Sequence, residues 1–301
     1  MPRQHALALA QALFVTFLWS TSWVLIKTGL DEIPALTFAG LRYGLAFALL
    51  LPLLARRTAR ASLTMSTRRD WALLAALGVV MYALTQGAQF LALERLPAQT
   101  TSLVLSFSPA LVAFLAMLVV AERPTRRQGW GVAIFLAGAL TFLYPVVLPR
   151  AELVGLVIAL VGVVSNAGAA VLGRVVNRDA AIPAVVVTAV SMGVGAALLL
   201  GVGVASQGWP ALSARGWAIV AWLAAVNTAF AFTLWNLTLR RLSALESSVV
   251  NNTMLIQIAV LAWLFLGEPL GARQVVGLML ASTGTLVVQL GARARAVPEG
   301  P

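Results

Sequence analysis

Apolar residues in this chain form continuous runs of about 20, separated by short gaps that carry most of the charge. A membrane-spanning helix needs about 20 mainly apolar residues. Ten such runs are predicted as helices, near 7–28, 34–55, 71–93, 97–121, 128–148, 152–173, 184–204, 216–237, 244–266 and 274–291. The first is too long and too rich in Trp for a cleaved signal peptide and is expected to remain as a span. The longest gap, from about Arg56 to Asp70, is basic and polar and too short to fold alone.

The runs repeat. Shifting the chain by 146 positions lays Trp71 on Trp217, Leu96 on Leu242, Ala98 on Ala244, Ser102 on Ser248, Glu122 on Glu268, Gly131 on Gly277 and Gly138 on Gly284. Earlier in each half the offset is 149, laying Ile33, Pro34 and Ala35 on Ile182, Pro183 and Ala184. A three-residue length difference between the halves reconciles the two offsets. Five spans per half is an odd number, so the second half enters the membrane from the opposite face. The expected fold is an all-α membrane protein of ten transmembrane helices in two inverted five-helix repeats, 1–148 and 149–301. Inverted repeats are characteristic of secondary transporters, which bind near the midplane and alternate access around that site.

Composition agrees with this pattern. Of 301 residues, 60% are hydrophobic and only 10% charged, far below the quarter of a soluble domain. The net charge of +11 would suggest nucleic acid on a soluble protein. Here the basic residues flank apolar runs, and nucleic acid is set aside. One set of gaps holds fifteen of them and the other five, with Arg42 inside a span. The positive-inside rule then places both termini in the cytoplasm, in a multi-pass protein of the cell inner (plasma) membrane. Trp71, Trp130, Trp209 and Trp217 fall near span ends, as interfacial anchors do.

With no Cys and a single His, His5, the chain offers neither a thiolate nor a metal cluster, and no cofactor is expected. A membrane hydrolase would need a base or paired acids in the bilayer, and HExxH is absent. No enzymatic activity is expected.

Polar side chains in hydrocarbon must face a partner or a wet cavity. Tyr82, Gln86 and Gln89 stand at i, i+4 and i+7, on one helix face. The 146 offset carries that face to Thr228 and Trp235, beside Asn227, and carries Ser102 and Ser106 to Ser248 and Asn252. The ninth run is polar in its first half, with Ser247, Ser248, Asn251, Asn252, Thr253 and Gln257. Ser165 and Asn166 add a group in the sixth, and Trp19 and Ser22 in the first. The expected substrate-binding residues are therefore Trp19, Ser22, Tyr82, Gln86, Gln89, Ser102, Ser106, Ser165, Asn166, Asn227, Trp235, Ser248, Asn251, Asn252 and Gln257. For each, an interhelical hydrogen bond or close packing is the competing role. Gly40 and Gly44 are expected to serve helix packing.

Lys27, Arg42, Glu122 and Glu268 are expected as gate or structural charges. Arg42 is expected to pair with an acid such as Glu268 or Glu32; its alternative role is to anchor a substrate carboxylate. The two glutamates are expected to act as helix caps or gate ion pairs. All ten Asp and Glu residues lie at or near span ends, which favours facilitated diffusion or exchange over a proton relay.

Several local sequences carry a family likeness. The first span reads Trp19, Ser20, Thr21, Ser22, Trp23 and ends in Lys27, and the second has Arg42 followed by Tyr43. The fourth has Pro109 and ends in Glu122, Arg123, Pro124; the fifth has Gln128, Gly131 and Gly138. Over essentially its whole length the chain resembles the drug/metabolite transporter superfamily, in the EamA group of ten-span bacterial exporters. The resemblance implies export of amino acids, related metabolites or toxic amphiphiles. In the second half Arg42 aligns with Ser191 and Lys27 with Val176, so any role of those charges is asymmetric.

Together these readings predict an exporter of small metabolites, foremost neutral or aromatic amino acids, working by facilitative or exchange alternating access. The alternatives are proton-coupled efflux of drugs or other amphiphiles, and a non-transporting membrane scaffold. The expected partners are a small-molecule substrate and the lipid bilayer, with the chain a monomer or homodimer.

Overall fold

The computed structural model describes residues 2–108, 110–111, 125–144, 150–177, 182–238, 241–242 and 244–293. They form an all-helical chain: α1 (Pro2–Gly29), α2 (Ala35–Leu54), α3 (Arg57–Met65), α4 (Arg68–Arg95), α5 (Ala98–Leu105), α6 (Arg126–Leu143), α7 (Arg150–Asn177), α8 (Ala184–Gln207), α9 (214–238), α10 (Ala244–Leu266) and α11 (Ala272–Arg293). Six helices among the described residues, α1, α2, α4, α7, α8 and α10, contain stretches long and apolar enough to cross a membrane. This is a multi-spanning membrane protein. Large apolar side chains such as Phe17, Leu140, Val164 and Phe265 stay exposed, as a lipid-facing surface requires.

Short polar signals set the helix ends. Thr67 with Asp70 and Thr125 with Gln128 build capping boxes at the starts of α4 and α6. Pro34, Pro97 and Pro183 precede α2, α5 and α8, where a fixed φ and a missing donor cost nothing. Gly208 and Gly267, at φ 79° and 67°, take the chain out of α8 and α10 through a left-handed conformation that other residues resist. The basic gap, too short to fold alone, contains α3, whose Ala59 is buried while Arg57 and Arg60 stay exposed.

The helices form two compact units, each drawn from both sequence halves: Met1–Val24, Leu96–Leu156 and Ala231–Pro301 in one, Leu25–Arg95 and Val157–Phe230 in the other. In the first unit α6 lies along α11 through equivalent glycines. A Cβ added to Gly138 would sit 2.5 Å from the Ala281 nitrogen, and one on Gly277 2.7 Å from the Phe142 nitrogen. One turn or more along the same pair, Gly131 and Gly284 make the reciprocal contacts. Around them Leu103, Phe135, Phe142, Leu255 and Leu278 form a core.

In the second unit α2 lies along α8. Gly40 faces the Leu200 backbone and Gly203 the Thr37 backbone, each too close for a side chain. Gly44, expected on the same packing face, meets no neighbour within 4 Å. The middle of α4, Gly78–Gln86, is π-helical and packs on α8; in α9 the π-helical turn is Ala225–Phe230. Shifting the first by 146 covers 224–232, so both halves widen the same helix at the same place. Such turns concentrate at functional sites.

Glu32 in the loop after α1 receives the backbone N–H of Ser213, and Ser213 Oγ donates to its Oε2 at 2.7 Å. These bonds, the backbone one foremost, with a smaller attraction to Arg215, hold its carboxyl below the ordinary 4.5. A depressed folded-state pKa contributes stability above the unfolded value that is lost as pH falls through the folded one. Thermal melting of the wild type should therefore exceed that of Glu32→Gln above about pH 5 and lose its advantage progressively below pH 4. A pH-independent difference would contradict this.

Candidate functional site

Interior polar groups gather in two clusters, one per unit. In the first unit, Trp19 of α1 stacks obliquely on two rings of α9, with centroids 5.1 Å from Phe232 and 5.2 Å from Trp235. One residue on, Ser20 Oγ donates to Gln257 Oε1 of α10 at 2.9 Å, while Gln257 Nε2 donates to Thr253 Oγ1 at 3.0 Å and Thr16 Oγ1 at 3.3 Å. Asn252 Nδ2 donates to the Ser282 carbonyl at 2.8 Å, tying α10 to α11. Ser22, Ser102 and Ser106 donate to carbonyls of their own helices three residues back. Asn251 is exposed; the side chain of Ser248 lies outside the described residues.

Glu268 follows the left-handed Gly267 and accepts the backbone N–H groups of Ala98 and Gln99, capping α5. Gln99 Nε2 returns a long bond to the Glu268 carbonyl. Its repeat partner Glu122 lies outside the described residues. Near this cap is an open hollow of about 250 Å³, where Arg273 stands over the Tyr144 ring at 5.8 Å.

The second unit holds Arg42. Only 5% exposed, it is the one buried charged side chain among the described residues. Its Nε donates to Thr228 Oγ1 at 3.2 Å, and its guanidinium lies 5.2 Å from the Tyr43 ring centroid. Tyr43 OH donates to Gln86 Oε1 at 2.6 Å, and the Tyr43 and Tyr82 rings meet edge to face at 5.4 Å. Thr228 sits in the π turn of α9 and bonds the Leu223 carbonyl five residues back; Thr85 does the same to Val80 in α4. Asn227 is fully buried beside Thr228.

The expected acid partner of Arg42 is corrected here. Among the described residues no acid pairs with Arg42: Glu32 is engaged with Ser213 and Glu268 with the α5 N-terminus, while the guanidinium meets a hydroxyl and a ring. Helix ends compete well for carboxylates because their N–H groups have no other acceptor. Lys27 donates to the Leu93 carbonyl at the end of α4.

Of the remaining expected residues, Tyr82 and Gln86 come together through Tyr43, while Gln89 is half-buried without a side-chain hydrogen bond among the described residues. The π turn breaks the 3.6-residue register that had aligned all three. Ser165 is buried and Asn166 exposed on α7. Tyr43, Thr16, Ser20, Thr253 and Phe232 join these clusters without having been expected there. Thr16 and Ser20 stand one turn apart, a signal available in the sequence; nothing in it paired Tyr43 with Gln86. Among the described residues no group of His, Cys, Asp and Glu could hold a metal ion.

The EamA-like transporter family model matches residues 6–144 and again 153–290. No curated protein matches the sequence. Nineteen solved chains are similar in structure. One, titled only "Crystal structure of protein", superposes with a TM-score of 0.66 at 20% identity, over 95% of this chain and 98% of its own, a likeness of fold.

Proposed function

Because the chain belongs to the EamA-like transporter family, we propose that it exports small metabolites, foremost neutral or aromatic amino acids, by facilitative or exchange alternating access. The family is one of transporters, not enzymes. In this reading the chain spans the inner membrane ten times as two inverted repeats, 1–148 and 149–301. Both termini are cytoplasmic, and the chain works as a monomer or homodimer on a solute it binds without a cofactor.

The observation that carries the reading is the chemistry of the two interior clusters. Each combines aromatic rings with hydroxyls and carboxamides, and together they hold a single buried charge among the described residues. A small, nearly neutral solute with an apolar part suits such groups, whereas a sugar phosphate would call for several basic residues. No carboxylate among the described residues is buried, which supports facilitative transport over a proton relay.

Uptake into proteoliposomes of the full chain, with and without an imposed pH difference, tests the mechanism. Labelled amino acid should equilibrate at the same final level in both. Steady accumulation against its gradient under the pH difference would overturn the facilitative reading and favour coupled efflux.

A further inference from the structure

Arg42 lies seven residues into α2, roughly 10 Å along the helix, where an ionised side chain is costly without a counter-charge. Its guanidinium has five N–H donors, and among the described residues Nε alone is bonded, to Thr228. Among the described residues no acid pairs with it, and Nη1 and Nη2 meet no acceptor within hydrogen-bonding distance. The residue as a whole keeps 5% of its surface exposed, so it is not completely sealed. The side chain is also held in place. Thr228 is fixed by its own bond to Leu223, and Tyr43 beneath the guanidinium is fixed by Gln86. What remains is a buried, anchored cation whose Nη1/Nη2 edge is unpaired among the described residues, the edge that takes a carboxylate through two parallel hydrogen bonds.

We propose that this fork binds the carboxylate of the transported solute, with Tyr43 and Tyr82 as the aromatic wall beside it. The site makes the carboxylate the recognised group and leaves the amino group a secondary one. The inference rests on the transporter reading and deepens it by naming the substrate class as carboxylate-bearing.

The test uses the full chain in proteoliposomes loaded with unlabelled L-phenylalanine, following entry of labelled L-phenylalanine. The competitors are 3-phenylpropionate, which keeps the carboxylate and lacks the amine, and phenylalaninamide, which lacks the carboxylate. In the wild type 3-phenylpropionate should compete and phenylalaninamide should not. Arg42→Gln should raise KM by about tenfold or more and abolish that discrimination, while Arg42→Lys, which keeps the charge but loses the fork, should fall between.

Equal competition by acid and amide in the wild type would overturn the proposal whatever the variants do. So would wild-type KM in an Arg42→Gln protein that melts as the wild type does, an outcome that leaves amino-acid transport intact. Thermal stabilisation by 3-phenylpropionate separates the remaining case. If no amino acid is carried yet the compound stabilises the wild type and not Arg42→Gln, the carboxylate site stands and the amino-acid reading falls. A wild type that neither transports phenylalanine nor is stabilised by 3-phenylpropionate refutes the site.

Discussion

Gly138→Val should leave little monodisperse protein after detergent extraction, whereas Gly129→Val, nine residues earlier on the same helix, should behave as the wild type. At Gly138 an added Cβ would stand 2.5 Å from the Ala281 nitrogen and 2.6 Å from the Gly277 carbonyl oxygen. Both are backbone atoms of α11, which cannot rotate aside, so the helices must separate along the α6–α11 contact. Overpacking a tight core costs about 1–3 kcal/mol when side chains can adjust, and a clash with backbone lies at or beyond the top of that range. At Gly129 nothing lies within 4 Å. In a bilayer close packing is a main source of helix association, because lipid offers no hydrophobic drive between helices. The two variants can be compared by size-exclusion profile and melting temperature. A Gly138→Val protein as monodisperse and thermostable as Gly129→Val would show that the contact is dispensable.

The second large effect is expected at Glu268. Its carboxylate accepts the N–H groups of Ala98 and Gln99, two of the donors that a helix start leaves without intrahelical partners. A charged acceptor there combines a cap with the favourable end of the helix dipole, worth about 1–2 kcal/mol. Glu268→Ala should lower the melting temperature by several degrees and speed amide exchange at Ala98, Gln99 and Thr100. Glu268→Gln, keeping an acceptor without the charge, should lose less. Unchanged exchange at those amides in Glu268→Ala would show that the cap contributes nothing.

These two positions also mark what the sequence makes legible. Gly131, Gly138, Gly277 and Gly284 appear in it as an internal repeat, and the structure puts the repeated glycines against one another on α6 and α11. Periodic apolar runs place the helices, since length and hydropathy follow from the bilayer itself. Glu268 is readable as a helix-end residue, but which helix it caps depends on a contact about 170 positions away in the chain.

Arg42 shows the limit more sharply. A lone arginine in an apolar run predicts an acidic partner, because pairing is the usual remedy for a buried charge. Among the described residues no acid meets Arg42, and Glu32 and Glu268 are instead held by Ser213 and by the start of α5, contacts that no local pattern announces. The π turns fail for a different reason. They follow from how α4 and α9 pack and widen, and no residue pattern in Gly78–Gln86 or Ala225–Phe230 announces them. Local periodicity therefore aligned Gln89 with Tyr82 and Gln86 in a register the helix does not keep. The division into two compact units that cut across the sequence halves is likewise set by helix pairing, α2 with α8 and α6 with α11, rather than by chain order.

The proposed export requires that the chain carry a small solute through a specific, saturable site. The most direct measurement is initial-rate uptake of a labelled panel into proteoliposomes of the purified chain, without any ion gradient. The panel holds aromatic and small neutral amino acids with a nucleobase as control. Saturable uptake of one class of amino acid, inhibited by its unlabelled form and absent from protein-free vesicles, is the result predicted. Entry of every member at the rate of protein-free vesicles, rising linearly with concentration, would contradict it.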